Sequence, residues 1–101
     1  MEAKKIQVAN RQVDGFVIPL GIGPVNLVFM ITDKGMLGCS AFNVAALDKF
    51  NYPAAIVRLR DGKPIVSLDD LLAGLIKEAN NSAQAVGIKV DMQASEALAK
   101  L

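Results

Sequence analysis

The alternation of apolar and polar positions is clearest near the start of the chain. In Lys5-Ile6-Gln7-Val8-Ala9-Asn10, an extended backbone places Ile6 and Val8 on one face and polar side chains on the other, which predicts a half-buried strand. Val13-Asp14-Gly15 supplies turn chemistry before a second apolar run, Phe16-Val17-Ile18-Pro19-Leu20, so these two strands are expected to pair. Beyond the loop Gly21-Ile22-Gly23-Pro24, the run Val25-Asn26-Leu27-Val28-Phe29-Met30-Ile31 is apolar on both faces. It reads as a central or interface strand, expected to be the most buried of the set. Thr32-Asp33-Lys34-Gly35 forms a tight turn, and Met36-Leu37-Gly38-Cys39 returns from it to complete an antiparallel meander.

The period then lengthens. Ser40 is a good N-cap for a helix over residues 41–50, in which Phe42, Ala46, Leu47 and Phe50 recur at helical spacing before Pro53. Residues 54–59 form a strand reached through that helix, a crossover that inserts it into the sheet interior. Ser67-Leu68-Asp69-Asp70 is a capping-box variant that opens a second helix, interrupted at Gly74 and resumed over residues 75–79 and 83–86, with Gly87 as its stop. Asp91 caps a last short helix that ends at Leu101. These elements make one α/β domain of the α+β type, spanning residues 1–101. Its expected architecture is a mainly antiparallel sheet of about five strands with three to four helices on one face, in the order ββββ-α-β-α-α-α.

Composition adds an expectation about assembly. The chain is 52% hydrophobic with a mean hydropathy of +0.36, more apolar than a domain of this size can bury alone, so it is expected to form a homo-oligomer. Residues 15–32 carry no charge, but Pro19, Gly21, Gly23 and Pro24 break any helix there, so no membrane partner is expected. Net charge is +1 with Lys and Arg scattered along the sequence and no basic stripe, which argues against nucleic acid. There is no charged-then-apolar leader at Met1-Glu2-Ala3-Lys4-Lys5, and one cysteine cannot form an internal disulfide. A reducing, cytoplasmic setting follows as the expectation.

The chemistry-bearing residues are few. The chain has no histidine, which removes the usual general base, the commonest zinc ligand and every Cys-His or Ser-His dyad; no metal or other cofactor is expected. Cys39 stands where an apolar strand is expected to become a helix, so backbone N–H groups and the helix dipole would favour its thiolate. A small ligand is therefore placed near Cys39, Ser40, Asn43 and Arg58, with Arg58 or Arg60 holding a carboxylate. The plainer readings are weighed beside this one. Cysteine is among the most often buried residues, Asn43 suits helix capping, and Arg58 suits a solvated strand face, so a small thiol-dependent enzyme using Cys39 ranks second to an uncharacterised ligand-binding oligomer. Asp69 and Asp70 diverge around a helix and read as first-turn charges, not an acid–base pair. Gly21-Ile22-Gly23 precedes a strand and lacks the lysine of a phosphate loop.

Several motifs occur in a telling order: Asp33-Lys34-Gly35, then Cys39-Ser40-Ala41-Phe42-Asn43-Val44, then Ser67-Leu68-Asp69-Asp70-Leu71-Leu72. Ala85-Val86-Gly87-Ile88-Lys89-Val90 and Glu96-Ala97-Leu98 follow. In this order they resemble the YunC-like family of small bacterial and archaeal proteins of unknown function, from about Ile6 to the C-terminus. The family pattern follows the cysteine with glycine and often places an acidic residue where this chain has Asn43; Ser40 and Asn43 stand here instead. The resemblance implies a single α/β domain and no particular reaction.

Overall fold

A computed structural model describes the backbone of residues 4–8 and 11–12, and residues 13–23 and 25–101 in full. Ala9 and Asn10 of the first predicted strand, and Pro24 of the predicted loop, lie outside the described residues. Within them the element order is β1 (Lys4–Val8), β2 (Arg11–Pro19), β3 (Asn26–Ile31), β4 (Met36–Gly38), α1 (Val44–Asp48), β5 (Ala54–Arg58), α2 (Leu68–Ala73), β6 (Leu75–Ala79), α3 (Asn81–Ala85) and α4 (Ala94–Ala99). The six strands form one sheet in sequence order. Every pairing is antiparallel except β4 with β5, which run parallel because the chain returns through α1.

The α+β class with a mainly antiparallel sheet holds, and β5 does enter the sheet interior. Several local expectations change. Residues 75–79 form the strand β6 and not a helix, because Ile56 pairs with Glu78 while Val57 pairs with Ile76, leaving Lys77 as the extra residue of a β-bulge. The bulge puts the buried residues Ile76 and Ala79 three apart on one face, which imitates helical spacing in the sequence. Asp14 and Gly15 belong to β2 and not to a turn. A Cβ at Gly15 would lie 2.7 Å from Leu68 Cδ1, so α2 rests directly on the strand.

The main core packs Val28, Met30, Leu37, Ala55, Val57 and Ile76 of the sheet against Leu71 of α2 and Leu98 of α4. A second cluster joins Met36, Ala54 and Ile56 to Val44, with Leu47 packed against it, so α1 covers the opposite sheet face. The expectation that every helix shares one face is corrected by this: neighbours on β5 point to opposite sides, and both sides are apolar. For the same reason β5, with Ala54, Ala55, Ile56 and Val57 all buried, is more buried than β3, whose outward residues are half-exposed.

Asn80 ties the centre together. Its Oδ1 accepts from the backbone N–H groups of Ala54 (3.2 Å) and Ala83 (2.8 Å), and its Nδ2 donates to the carbonyls of Val44 (3.0 Å) and Tyr52 (2.8 Å). One buried amide thus caps α3 and fastens α1 and β5 to it. Ser67 caps α2 as expected, accepting from Asp70 N at 3.1 Å, while Asp70 Oδ2 accepts from Val66 N at 3.0 Å. Gly87, at φ 98°, ends α3, where Ile88 N donates back to Ala83 O. Asp91 does not cap α4; Gln93 occupies that position without a side-chain hydrogen bond.

Candidate functional site

Because β4 and β5 are parallel, their C-terminal ends open at the same edge of the sheet. Side chains just beyond two parallel strands are well placed to line a crevice. Cys39 and Ser40 follow β4, Leu59 and Arg60 follow β5, and the next loop adds Lys63 and Ile65. Together with Arg58, and with Lys77 of β6, they line a cleft of about 310 Å³. Its apolar wall is continuous with the core, since Val57, Ile65 and Cys39 belong to the main cluster and Leu59 packs against it.

The lining also carries four cations, Arg58, Arg60, Lys63 and Lys77. Arg58 Nη2 donates to Asp91 Oδ1 at 3.1 Å, and Lys63 Nζ lies 3.9 Å from Asp61 Oδ2; both pairs are solvent-exposed, where ion pairs hold weakly. Among the described residues, Arg60 and Lys77 have no ion-pair partner. Lys77 owes its place to the bulge, a device that re-aims a side chain out of the regular strand alternation.

Cys39 is 7% exposed, and its backbone N donates to Val28 O at 3.0 Å. No helix starts beside it. Phe42 N donates to Cys39 O at 3.3 Å, closing a turn, and the helix begins only at Val44. The Phe42 ring accounts for the delay: it lies on Gly38, where a Cβ would meet Cδ2 at 2.6 Å, and edge-on to Phe29 with centroids 5.2 Å apart. Seating the ring on the sheet uses the residues expected to form the first helical turn. The helix-terminus activation expected for the thiol is therefore corrected, and so is Ser40 as N-cap.

Of the four residues singled out from sequence, Cys39, Ser40 and Arg58 come together in the cleft. Asn43 does not. Its Oδ1 accepts from Ala46 N at 3.1 Å, which makes it the N-cap of α1. Lys63 and Lys77 were not singled out: the first sits in a stretch whose Asp-Gly-Lys-Pro chemistry signals a turn, and the second was hidden by the helix-like spacing of β6. A second cleft of about 340 Å³, beside α3, is lined by Ala79, Gln84, Ile88, Lys89 and Val90 and contains one cation. Among the described residues, no three His, Cys, Asp or Glu side chains gather as a metal site would require, and no helix is long and apolar enough to cross a membrane.

Two groups outside the cleft titrate away from their ordinary values. Hydrogen bonds from the Ser82 backbone N–H (2.9 Å) and hydroxyl (2.8 Å) hold the Asp48 carboxyl below the usual carboxylate range. Burial pushes the Tyr52 phenol up.

No curated protein matches the chain. Among solved structures, it is similar to a protein of unknown function from Thermoplasma acidophilum, TA1206, at 26% identity and a TM-score of 0.85, over 99% of this chain and 91% of that one. Residues 38–101, which include every residue lining the cleft, match the family described as a domain of unknown function, DUF1805. The chain belongs to that family.

Proposed function

We propose that this domain binds a small anionic ligand in the cleft beyond β4 and β5, and that it works as a homo-oligomer. The observation that carries the ligand reading is charge placement. A chain of net charge +1 gathers Arg58, Arg60, Lys63 and Lys77 around one concave site that also has apolar lining residues. The exposed apolar side chains Leu20, Ile22 and Val25, between β2 and β3, support self-association. The YunC-like resemblance and a cytoplasmic setting, in which Cys39 stays a free thiol, belong to the same proposal.

The ligand reading is tested by following backbone amide resonances while acetate, sulfate and inorganic phosphate are titrated at constant ionic strength. Shifts concentrated at Cys39, Ser40, Arg60, Gly62 and Lys63 support it, whereas shifts spread over surface lysines throughout the molecule sink it. Sedimentation decides the assembly: a monomer at all concentrations removes the oligomer. A thiol-dependent enzyme is the second reading, favoured by the position of Cys39 in the cleft wall. Rapid alkylation of the native protein near neutral pH supports that reading, and a thiol inert until denaturation removes it.

A further inference from the structure

The geometry points to a dianion as the occupant of this cleft, and to a compact phosphate monoester with an aliphatic organic part as its chemical class; this rests on the anion-binding reading above. Charge number comes first. Four cations face the cleft and two carboxylates, Asp61 and Asp91, neighbour them, so two positive charges are left over, and Arg60 and Lys77 are the pair without an ionic partner among the described residues. A monoanion leaves one of these charges unbalanced. A dianion balances both.

The chemistry of the donors favours phosphate over a pair of separated carboxylates. Arg58 and Arg60 are two residues apart at the end of β5, and each guanidinium offers a planar fork that fits two oxygens of one phosphoryl group. Lys77 comes from the adjacent strand, where the bulge frees it from regular alternation, and supplies a compact point charge. A phosphate monoester concentrates about two charges and three acceptor oxygens on one atom, which matches several cationic donors lining one small cleft.

The remaining wall sets the rest of the ligand. Leu59 and Pro64, which keep exposed surface, offer apolar contact, so an organic group gains over inorganic phosphate. The volume, about 310 Å³, lies at the small end of ligand pockets. Among the described residues no aromatic side chain lines the cleft, so a nucleobase finds nothing to stack on there. Together these select a short aliphatic phosphate monoester over a nucleotide.

Calorimetric titration of the full chain at fixed ionic strength, with glycerol phosphate, dimethyl phosphate, butyrate, succinate and inorganic phosphate, tests the inference. Glycerol phosphate is expected to bind about tenfold or more tightly than the monoanions dimethyl phosphate and butyrate, as befits an additional charge-assisted contact. It should also outbind inorganic phosphate and succinate. Arg60→Ala and Lys77→Ala should each weaken glycerol phosphate about tenfold while thermal unfolding shows the fold intact. Asp91→Asn releases Arg58 and keeps a residue tolerant of the φ of 70° found there, so it should tighten binding about threefold, the scale of an exposed ion pair. Monoanions that bind as well as glycerol phosphate overturn the dianion and leave the anion reading standing. Succinate or inorganic phosphate binding tighter overturns the phosphate monoester. Affinity untouched by both Arg60→Ala and Lys77→Ala moves the site elsewhere and overturns the inference, and a protein that takes up none of these anions loses both readings.

Discussion

The central strand β5 and strand β3 of the β2–β3 arm are both largely apolar in sequence, yet they end up in different environments. In β5 every residue from Ala54 to Val57 is buried, because α1 covers one face while the other faces the main core, with α3 beside it. In β2 and β3, Val13, Val28 and Met30 are buried beneath the helices, while Phe16 and Phe29 stack on the other face at 4.8 Å and stay half-exposed. At the end of the arm, Ile22 is 78% exposed. Hydrophobic content alone therefore does not decide burial; the number of covering elements does. The cationic cleft forms where the two parallel strands stop together, and the bare apolar side chains collect in the β2–β3 turn at the same edge of the sheet, since the N-terminal end of β3 runs beside the C-terminal end of β4.

This contrast is broken most severely at its central fastening. Asn80→Leu leaves four backbone partners of the amide unpaired in a buried site, and chemical denaturation should record a loss on the order of 4 kcal/mol. A loss below about 1 kcal/mol would mean that water replaces the amide there. Next in size, Leu37→Ala in fully buried β4 should cost about 3 kcal/mol, against about 0.5 kcal/mol or less for Val17→Ala in the arm. Equal costs would show that the arm is packed as tightly as the centre, which happens only if another surface covers it. Ser67→Ala, which removes the α2 cap, should cost about 1 kcal/mol in the same measurement.

A smaller effect concerns acid. The Asp48 carboxyl has its pKa lowered in the folded state by Ser82, so it contributes stability that is fully present above the unfolded value of 3.8 and is lost as pH falls through the lower folded value. Asp48→Asn should be less stable than the parent at neutral pH, with the difference closing below pH 3.8; a gap that stays constant down to the most acidic folded conditions contradicts the Ser82 contact. Smallest for folding is Ile22→Ser, expected within about 0.5 kcal/mol of the parent. Its value lies in sedimentation, where a shift towards monomer would place the arm in the contact between copies.

Where local rules act alone, the sequence was legible. The Thr32–Gly35 turn forms with Thr32 Oγ1 accepting from Lys34 and Gly35 N, the Ser67 cap and its Asp70 partner form, and Gly87 stops α3. Cys39, Ser40 and Arg58 were singled out and do meet in one cleft. The failures share a cause. Lys77 was read as helical because a single inserted residue shifts strand burial from every second to every third position, and Ser40 lost its role as a cap because Phe42 is held by Gly38 and Phe29, groups outside the local segment.

The amino-acid sequence by itself determined the class of fold, the Thr32–Gly35 turn, the Ser67 cap, the Gly87 stop, the crossover into the sheet interior and the lack of histidine, because each follows from a residue and its near neighbours. Only the tertiary structure decided that β6 is a bulged strand, that α1 covers the opposite face from α2, and that Arg58, Arg60, Lys63 and Lys77 share one cleft. Those outcomes depend on which distant segments press against each other, and pairing energy across the sheet overrides the weak preferences of a five-residue stretch.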